Sequence, residues 1–379
     1  MDARLPDHGL QVTSMLGADG TLELELTERP IAEPGPDQVV VRIEAAPINP
    51  SDLISLLASA DPAEARFEGA PARPRVTARL APEAARLHAL RVGQRQPVGL
   101  EGAGFVVAVG RNAGLLLGRP VALLSLARGL WSQYCTVPAA DCLALPAGTT
   151  PAEGAAVFVN PLTALAMVES MRLEGHQALL HTAAASNLGQ MLVKICLEDR
   201  IPLVNIVRRP EQVELLRGLG ARHVLNSAAP GFRDELVRAL RETGATLAFD
   251  AIGGGTLAGQ ILSAIEAVAA SRLTEYSPYG SFQPKQVYIY GLLDPSPTVL
   301  SRNCGLLWGV GAWFMPAILE RIGPERSAAL RQRVLSGLKT TFASHYHRTI
   351  SLAEALQRDV MLAYTRKATG EKYLINPAL

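Results

Sequence analysis

Residues 181–189 read His-Thr-Ala-Ala-Ala-Ser-Asn-Leu-Gly and run from a short apolar stretch into a segment with apolar residues at helical spacing. A strand–turn–helix junction of this kind offers an anion the unpaired N–H groups and the positive end of a helix, and a dinucleotide's pyrophosphate can rest there. Small side chains suit a backbone that must come close to phosphate, which makes Ala185, Ser186, Asn187, Leu188 and Gly189 the candidate contacts. The run is not the glycine-rich dinucleotide fingerprint, and similar turns occur in α/β proteins that bind no nucleotide. Its surroundings add to it. The next apolar segment ends Asn205-Ile206-Val207-Arg208-Arg209, with no carboxylate at its tip. Asp or Glu there would bind ribose hydroxyls, whereas arginine accommodates a 2′-phosphate, so Val207, Arg208 and Arg209 point to NADPH, the alternative being two solvated arginines. Ala251, Ile252 and Gly253 follow one later strand, and Tyr290, Gly291 and Leu292 another. Several such turns at one sheet edge would line a dinucleotide cleft.

The elements that must hold these turns follow from periodicity. Residues 21–26 alternate polar and apolar, as a half-buried strand does, and 38–45, 104–110 and 120–124 continue a β-rich pattern punctuated by Gly and Pro. From about residue 177 the rhythm becomes strand and helix in turn: strands at 178–182, 202–207, 223–225, 246–250 and 286–290, helices at 188–197, 211–219 and 232–241. That is the pattern of a doubly wound parallel sheet. The end of the chain predicts a strand at 345–350, a helix at 352–364 and a strand at 372–375 that rejoin the first domain. The expected division is 1–155 completed by 340–379, and 156–339. Residues 61–96, rich in Ala, Arg and Pro, stand apart as a surface insertion with a possible short helix at 82–90, either without function or shaping access of an acceptor.

Bulk properties narrow the function. A chain of 379 residues expects two domains, and 48% hydrophobic with 19% charged residues is globular. Lys and Arg (36) balance Asp and Glu (35), which recommends no nucleic-acid partner. The first eight residues lack a signal peptide's apolar core, and the longest apolar stretch, 304–319, is too short and too broken by Gly and Pro for a membrane span. That stretch reads as a buried or partner-facing helix. Cys135, Cys142, Cys196 and Cys304 form no C-x-x-C pair, so a reduced cytoplasmic protein is expected.

Four motifs in order, Ile48-Asn49-Pro50-Ser51-Asp52, Gly99-Leu100-Glu101-Gly102-Ala103-Gly104, Asn160-Pro161-Leu162-Thr163-Ala164 and Ala183 to Gly189, resemble the medium-chain dehydrogenase/reductase superfamily. Within it the chain looks like the quinone oxidoreductases, and it is similar also to the mitochondrial-type enoyl thioester reductases. The resemblance implies an α/β protein in which a GroES-like β-rich catalytic domain accompanies a Rossmann domain, with the cofactor between them, and a homodimer formed through the Rossmann domain. Asn49 would face nicotinamide and substrate, Asn160 and Thr163 would lie at the cofactor with Thr163 at its carboxamide, and Ser186 to Gly189 would meet the pyrophosphate. Asn187 stands where the family usually has glycine, and Asn tolerates left-handed geometry.

Two departures shape the reading. Zinc dehydrogenases of the superfamily carry a Cys ahead of the Asp and a His before the Glu. Here Asn49 and Leu100 take those places, and neither binds zinc well. His345 and His347 could share a strand face and hold a metal, although ordinary strand residues are the commoner outcome. The enoyl reductases place a catalytic tyrosine shortly after Asn-Pro-Ser-Asp, and residues 53–60 contain none. The expected activity is therefore zinc-independent transfer of hydride from NADPH to a quinone or other small conjugated carbonyl acceptor. The alternatives are a 2-enoyl thioester reductase and a nucleotide-binding protein with little catalysis.

Overall fold

The structure is a computed structural model that describes residues 5–379. The start of the N-terminal stretch read above for a signal peptide, residues 1–4, lies outside the described residues. The chain forms two compact units, Met1–Val159 with Val334–Leu379, and Asn160–Arg333.

In the first unit, alternation decides which side chains enter the core. Strand Thr21–Pro30 buries Leu22, Leu24 and Leu26 on one face. It lies in a five-stranded sheet in the order Arg66–Ala70, Arg73–Arg79, Thr21–Pro30, His8–Leu16, Arg95–Pro97. A second sheet of seven strands centres on Gln38–Pro47, flanked by Glu101–Val109 and Tyr134–Pro138 as antiparallel neighbours. From the far end of the chain, Tyr373–Ile375 pairs with Ala46 and Pro47. Val39, Val41, Ile43, Val106, Trp131 and Ile375 share one apolar core.

The segment 61–96 is not a separate surface insertion. It supplies the hairpin Arg66–Ala70 and Arg73–Arg79, the short helix Pro82–Leu87 and strand Arg95–Pro97. Val76 enters the core, and Arg91 donates to the Ser14 hydroxyl at 2.9 Å and the Ser55 carbonyl at 3.1 Å, tying the segment to helix Asp52–Leu57. The helix expected over 352–364 is divided: a 3-10 turn at Glu354–Leu356 is followed by an extended Gln357 and then helix Arg358–Thr365.

The second unit is a six-stranded sheet in the order His223–Asn226, Leu203–Val207, Leu179–His181, Leu247–Asp250, Lys285–Ile289, Trp308–Ala312. Its neighbours are all parallel. In chain order this is 3-2-1-4-5-6, the Rossmann arrangement, with its switch point between the Leu179–His181 and Leu247–Asp250 strands. Helix Phe232–Thr243 buries Phe232, Leu236, Ala239 and Leu240, one stripe at helical spacing, against a core holding Leu180, Val204, Ile206 and Val287. The 304–319 stretch is not one helix: it holds edge strand Trp308–Ala312 and the start of helix Met315–Ser336, because glycines at 305, 309 and 311 favour extended and turn backbone. One segment, Pro151–Leu173, is long and apolar enough to cross a membrane, and its apolar window is 94% buried inside the protein, as a core helix is.

Candidate active site

Because the sheet is parallel, the residues after each strand emerge at a single edge. The turns after His181, Val207, Asp250 and Ile289 therefore lie together at the carboxyl ends of four strands. The structure thus brings Ala185 to Gly189, Arg208 and Arg209, Ala251 to Gly253, and Tyr290 to Leu292 to one rim of the second unit. Ser186 is the N-cap of helix Asn187–Glu198, and its hydroxyl accepts from the Gly189 amide at 3.1 Å. Asn187 is the first helical residue, and the left-handed position is Ala183, with φ 48°. The expectation that Asn187 needs left-handed tolerance is corrected accordingly: the reversal precedes the cap. Gly189 is needed for a different reason, since a Cβ there would meet the Ala184 carbonyl oxygen at 2.2 Å.

The switch point is bolted by side chains. The Thr182 hydroxyl donates to Asp250 at 2.6 Å and accepts from the Ala251 amide at 2.9 Å. The same carboxylate accepts from the amides of Ile252 and Gly253 at 2.9 and 3.2 Å. Gly253, at φ 83°, also packs against the Gly291 carbonyl, where a Cβ would come within 2.9 Å. His181 is fully buried, and its Nε2 lies 2.7 Å from the Tyr290 hydroxyl with the rings stacked at 5.8 Å. Burial pulls the His181 pKa down to about 3, so the ring is neutral, and burial together with the Asp250 charge raises the Tyr290 phenol. The pair is a scaffold for the 290–292 turn.

Arg208 and Arg209 are exposed beyond buried Val207, and Gln212 accepts from both their backbone amides, at 3.1 and 3.2 Å. Sequence reasoning missed their acidic neighbour. Asp294 is held below the usual carboxylate range by the hydroxyl and amide of Ser296, with help from the Arg208 charge. Asn160 and Thr163 sit buried in the first turns of helix Val159–Leu173.

A polar cluster lies in the first unit around Asn49. The Asn49 amide Nδ2 donates to Glu101 at 2.9 Å, and its Oδ1 accepts from Lys372 Nζ at 2.8 Å. Asp52 accepts from the backbone amides of Asn49 and Leu100 at 2.7 and 2.8 Å, and Glu101 accepts from those of Phe158 and Val159, both at 2.9 Å. Burial pushes Asp52 up to about 7 against those amide bonds, and burial likewise raises Glu101. Burial lowers Lys372 against the pull of Glu101 and Asp52. Tyr346, raised chiefly by burial and then by the Glu101 charge, belongs to the same neighbourhood. Neither Lys372 nor Tyr346 was marked by any motif.

His345 and His347 are exposed and precede strand Arg348–Ile350; the His347 ring packs against Tyr373. Among the described residues, no three His, Cys, Asp or Glu side chains gather as a metal site. The four cysteines are free, and burial pushes the thiols of Cys135 up to about 11 and of Cys142 and Cys196 up to about 12.

A Rossmann unit and a β-rich unit completed by the chain's last strands are the two parts of the medium-chain dehydrogenase/reductase architecture, and the chain is similar to proteins of that class. Residues 35–147 match the alcohol dehydrogenase GroES-like domain. Over 98% of its length the chain superposes on 99% of a Mesorhizobium loti protein assigned as an NADPH:quinone reductase, with a TM-score of 0.72 and 25% identity. It is 26% identical over 253 residues to the mouse synaptic vesicle membrane protein VAT-1 homolog, covering 66% of this chain and 55% of that protein. It is 29% identical over 238 residues to the Arabidopsis thaliana mitochondrial enoyl-[acyl-carrier-protein] reductase, covering 60% of this chain and 55% of that one. The chain thus spans a little over half the length of these curated relatives.

Proposed function

We propose that the protein is an NADPH-dependent oxidoreductase that reduces a quinone or another small conjugated carbonyl compound without zinc. The observation that carries this reading is the rim of four strand-end turns at the Rossmann switch point, with Arg208 and Arg209 at the tip that selects between NADH and NADPH. The likeness to the M. loti NADPH:quinone reductase extends over nearly all of both chains and supports the acceptor class. Bound NADPH supplies the hydride. The protein's part is to orient it: the Asn187–Glu198 helix start and the Ala183 reversal present backbone amides to the pyrophosphate, and Asp250 holds the Ala251–Gly253 backbone beside it. Asn49, fixed between Glu101 and Lys372, is the polar side chain offered to the acceptor. Asn49 and Leu100 at the zinc-ligand positions support the metal-free chemistry, since neither is a good zinc donor.

Steady-state NADPH oxidation with naphthoquinone and crotonyl-thioester acceptors tests the proposal. Faster turnover of quinone, unaffected by chelation, is expected. Preference for the thioester would favour enoyl reduction, the reading supported by the likeness to the Arabidopsis enzyme. No turnover of any acceptor, with NADPH still bound, would leave a nucleotide-binding protein. We further propose a homodimer through the Rossmann unit, where edge strand Trp308–Ala312 lies near exposed Leu306, Leu307 and Phe314. Light scattering giving one chain's mass, 40.3 kDa, at micromolar concentration would refute it.

A further inference from the structure

A carboxamide can sit in two flipped orientations, and only its neighbours choose between them. At Asn49 the choice is forced. The Lys372 ammonium has only hydrogens to give and lies 2.8 Å from Oδ1. The Glu101 carboxyl group, which also accepts from the Phe158 and Val159 amides, lies 2.9 Å from Nδ2. Flipping the amide would set N–H against ammonium and carbonyl against carboxylate, losing both charge-assisted bonds. The backbone is held as firmly, because Asn49 N donates to Asp52 at 2.7 Å and Asp52 N donates back to the Asn49 carbonyl at 3.0 Å.

We infer that Lys372 is a positioning residue: it locks the orientation of the Asn49 amide and places a fixed positive charge beside it, where an acceptor's oxygen becomes anionic. The inference rests on the reductase reading for its chemistry. Hydride reaches the acceptor, an electron pair moves onto the acceptor oxygen, and that oxygen later collects a proton from solvent. Lys372 keeps its own protons throughout and acts as a preorganised cation. The groups around it suit that task. The charges that act on it are those of Glu101 and Asp52, and the Tyr346 phenol lies near Glu101. At the positions where zinc dehydrogenases gather ligands around a metal cation, this chain has an asparagine held by a lysine brought from 323 residues away.

The test uses Lys372→Met, Lys372→Arg and the charge-balanced double variant Lys372→Met/Glu101→Gln, with two readouts. With naphthoquinone, Lys372→Met should lower kcat about a hundredfold, the scale of losing one oxyanion-stabilising group. KM for NADPH should stay within about twofold, Lys372→Arg should recover much of the loss, and the double variant, folded, should remain slow. In selectively labelled protein, the Asn49 side-chain amide hydrogens should exchange with solvent at least about tenfold faster in Lys372→Met than in wild type, as hydrogens released from a locked bond do. A folded double variant with wild-type kcat overturns the inference. So does an unchanged Asn49 exchange rate, or an equal loss in the Arg and Met variants. Should wild type itself fail to reduce naphthoquinone, the reductase reading falls, and the exchange rate alone still decides whether Lys372 locks the amide.

Discussion

The hydroxyl of Thr182 donates to the carboxylate of Asp250 across the switch point of the Rossmann sheet, at 2.6 Å. One residue leaves the first strand of the sheet and the other ends the fourth, so this bond sets the spacing of the two turns that diverge there. Thr182→Val keeps the shape and removes the donor. It leaves a fully buried carboxylate short of a partner, which should cost about 1–3 kcal/mol, and it should raise KM for NADPH severalfold as the Ala251–Gly253 turn loosens. Chemical denaturation and cofactor titration read the two effects. An unchanged midpoint would show that the bond holds nothing.

Cofactor choice should reside at the tip of the second strand. Arg208→Glu or Arg209→Glu should weaken NADPH and barely alter NADH. One hydrogen bond to a charged group, worth about 1.5–3 kcal/mol, corresponds to roughly ten- to a hundredfold in the preference. Asp294, which feels the Arg208 charge, sets a further expectation: Asp294→Asn should strengthen NADPH binding modestly by removing a competing anion. Ratios of kcat/KM for the two cofactors that stay at the wild-type value in all three variants would mean that the arginines are only solvated.

Acid stability should report His181. Its folded pKa of about 3 lies below that of the unfolded chain, about 6.5, so unfolding takes up a proton between those limits. The stability gained by keeping the ring neutral is full above about pH 6.5 and is lost as pH falls towards 3, at up to about 1.4 kcal/mol per unit. His181→Gln retains a partner for the Tyr290 hydroxyl and cannot titrate. Its melting temperature should fall less steeply than that of wild type between pH 6.5 and 4, and parallel curves would refute the assignment.

The hairpin of residues 66–79 should behave as core structure. Val76→Ala removes two buried methyl groups from the shared core and should cost about 1–3 kcal/mol, with little change in KM for either substrate. An unaltered unfolding midpoint, with a shifted acceptor KM, would restore a gating role for the segment.

Local patterns explain what could be read before folding. Leu22, Leu24 and Leu26 declared their strand by alternation, and the parallel strands showed themselves as short apolar runs between helical segments. The strand Arg73–Arg79 hid because its inward face holds Pro74 and Val76 among arginines whose charges meet Glu23 and Glu28 across the sheet surface. The left-handed residue fell at Ala183, where composition favours no such conformation, because the cap at Ser186 fixes where the helix begins. Asn49 was found through its motif. Its partners were not, since Lys372 lies in a segment with no chemical signature and reaches the cluster only through the pairing of Tyr373–Ile375 with Gln38–Pro47.

That pairing has a consequence for how the protein is made. The Rossmann unit is one uninterrupted run, Asn160–Arg333, whereas the unit holding Asn49 needs both ends of the chain. During synthesis at about 5–20 residues per second, the 323 positions between Asn49 and Lys372 take roughly 15–65 s to translate. Through that interval the nascent first unit exposes the Ala46–Pro47 edge to whatever is nearby, and Glu101 and Asp52 wait without their counter-ion. The Rossmann unit can be complete before the unit holding Asn49 has its last strand. A ribosome-bound chain halted just short of residue 373 should therefore acquire NADPH affinity before it acquires turnover.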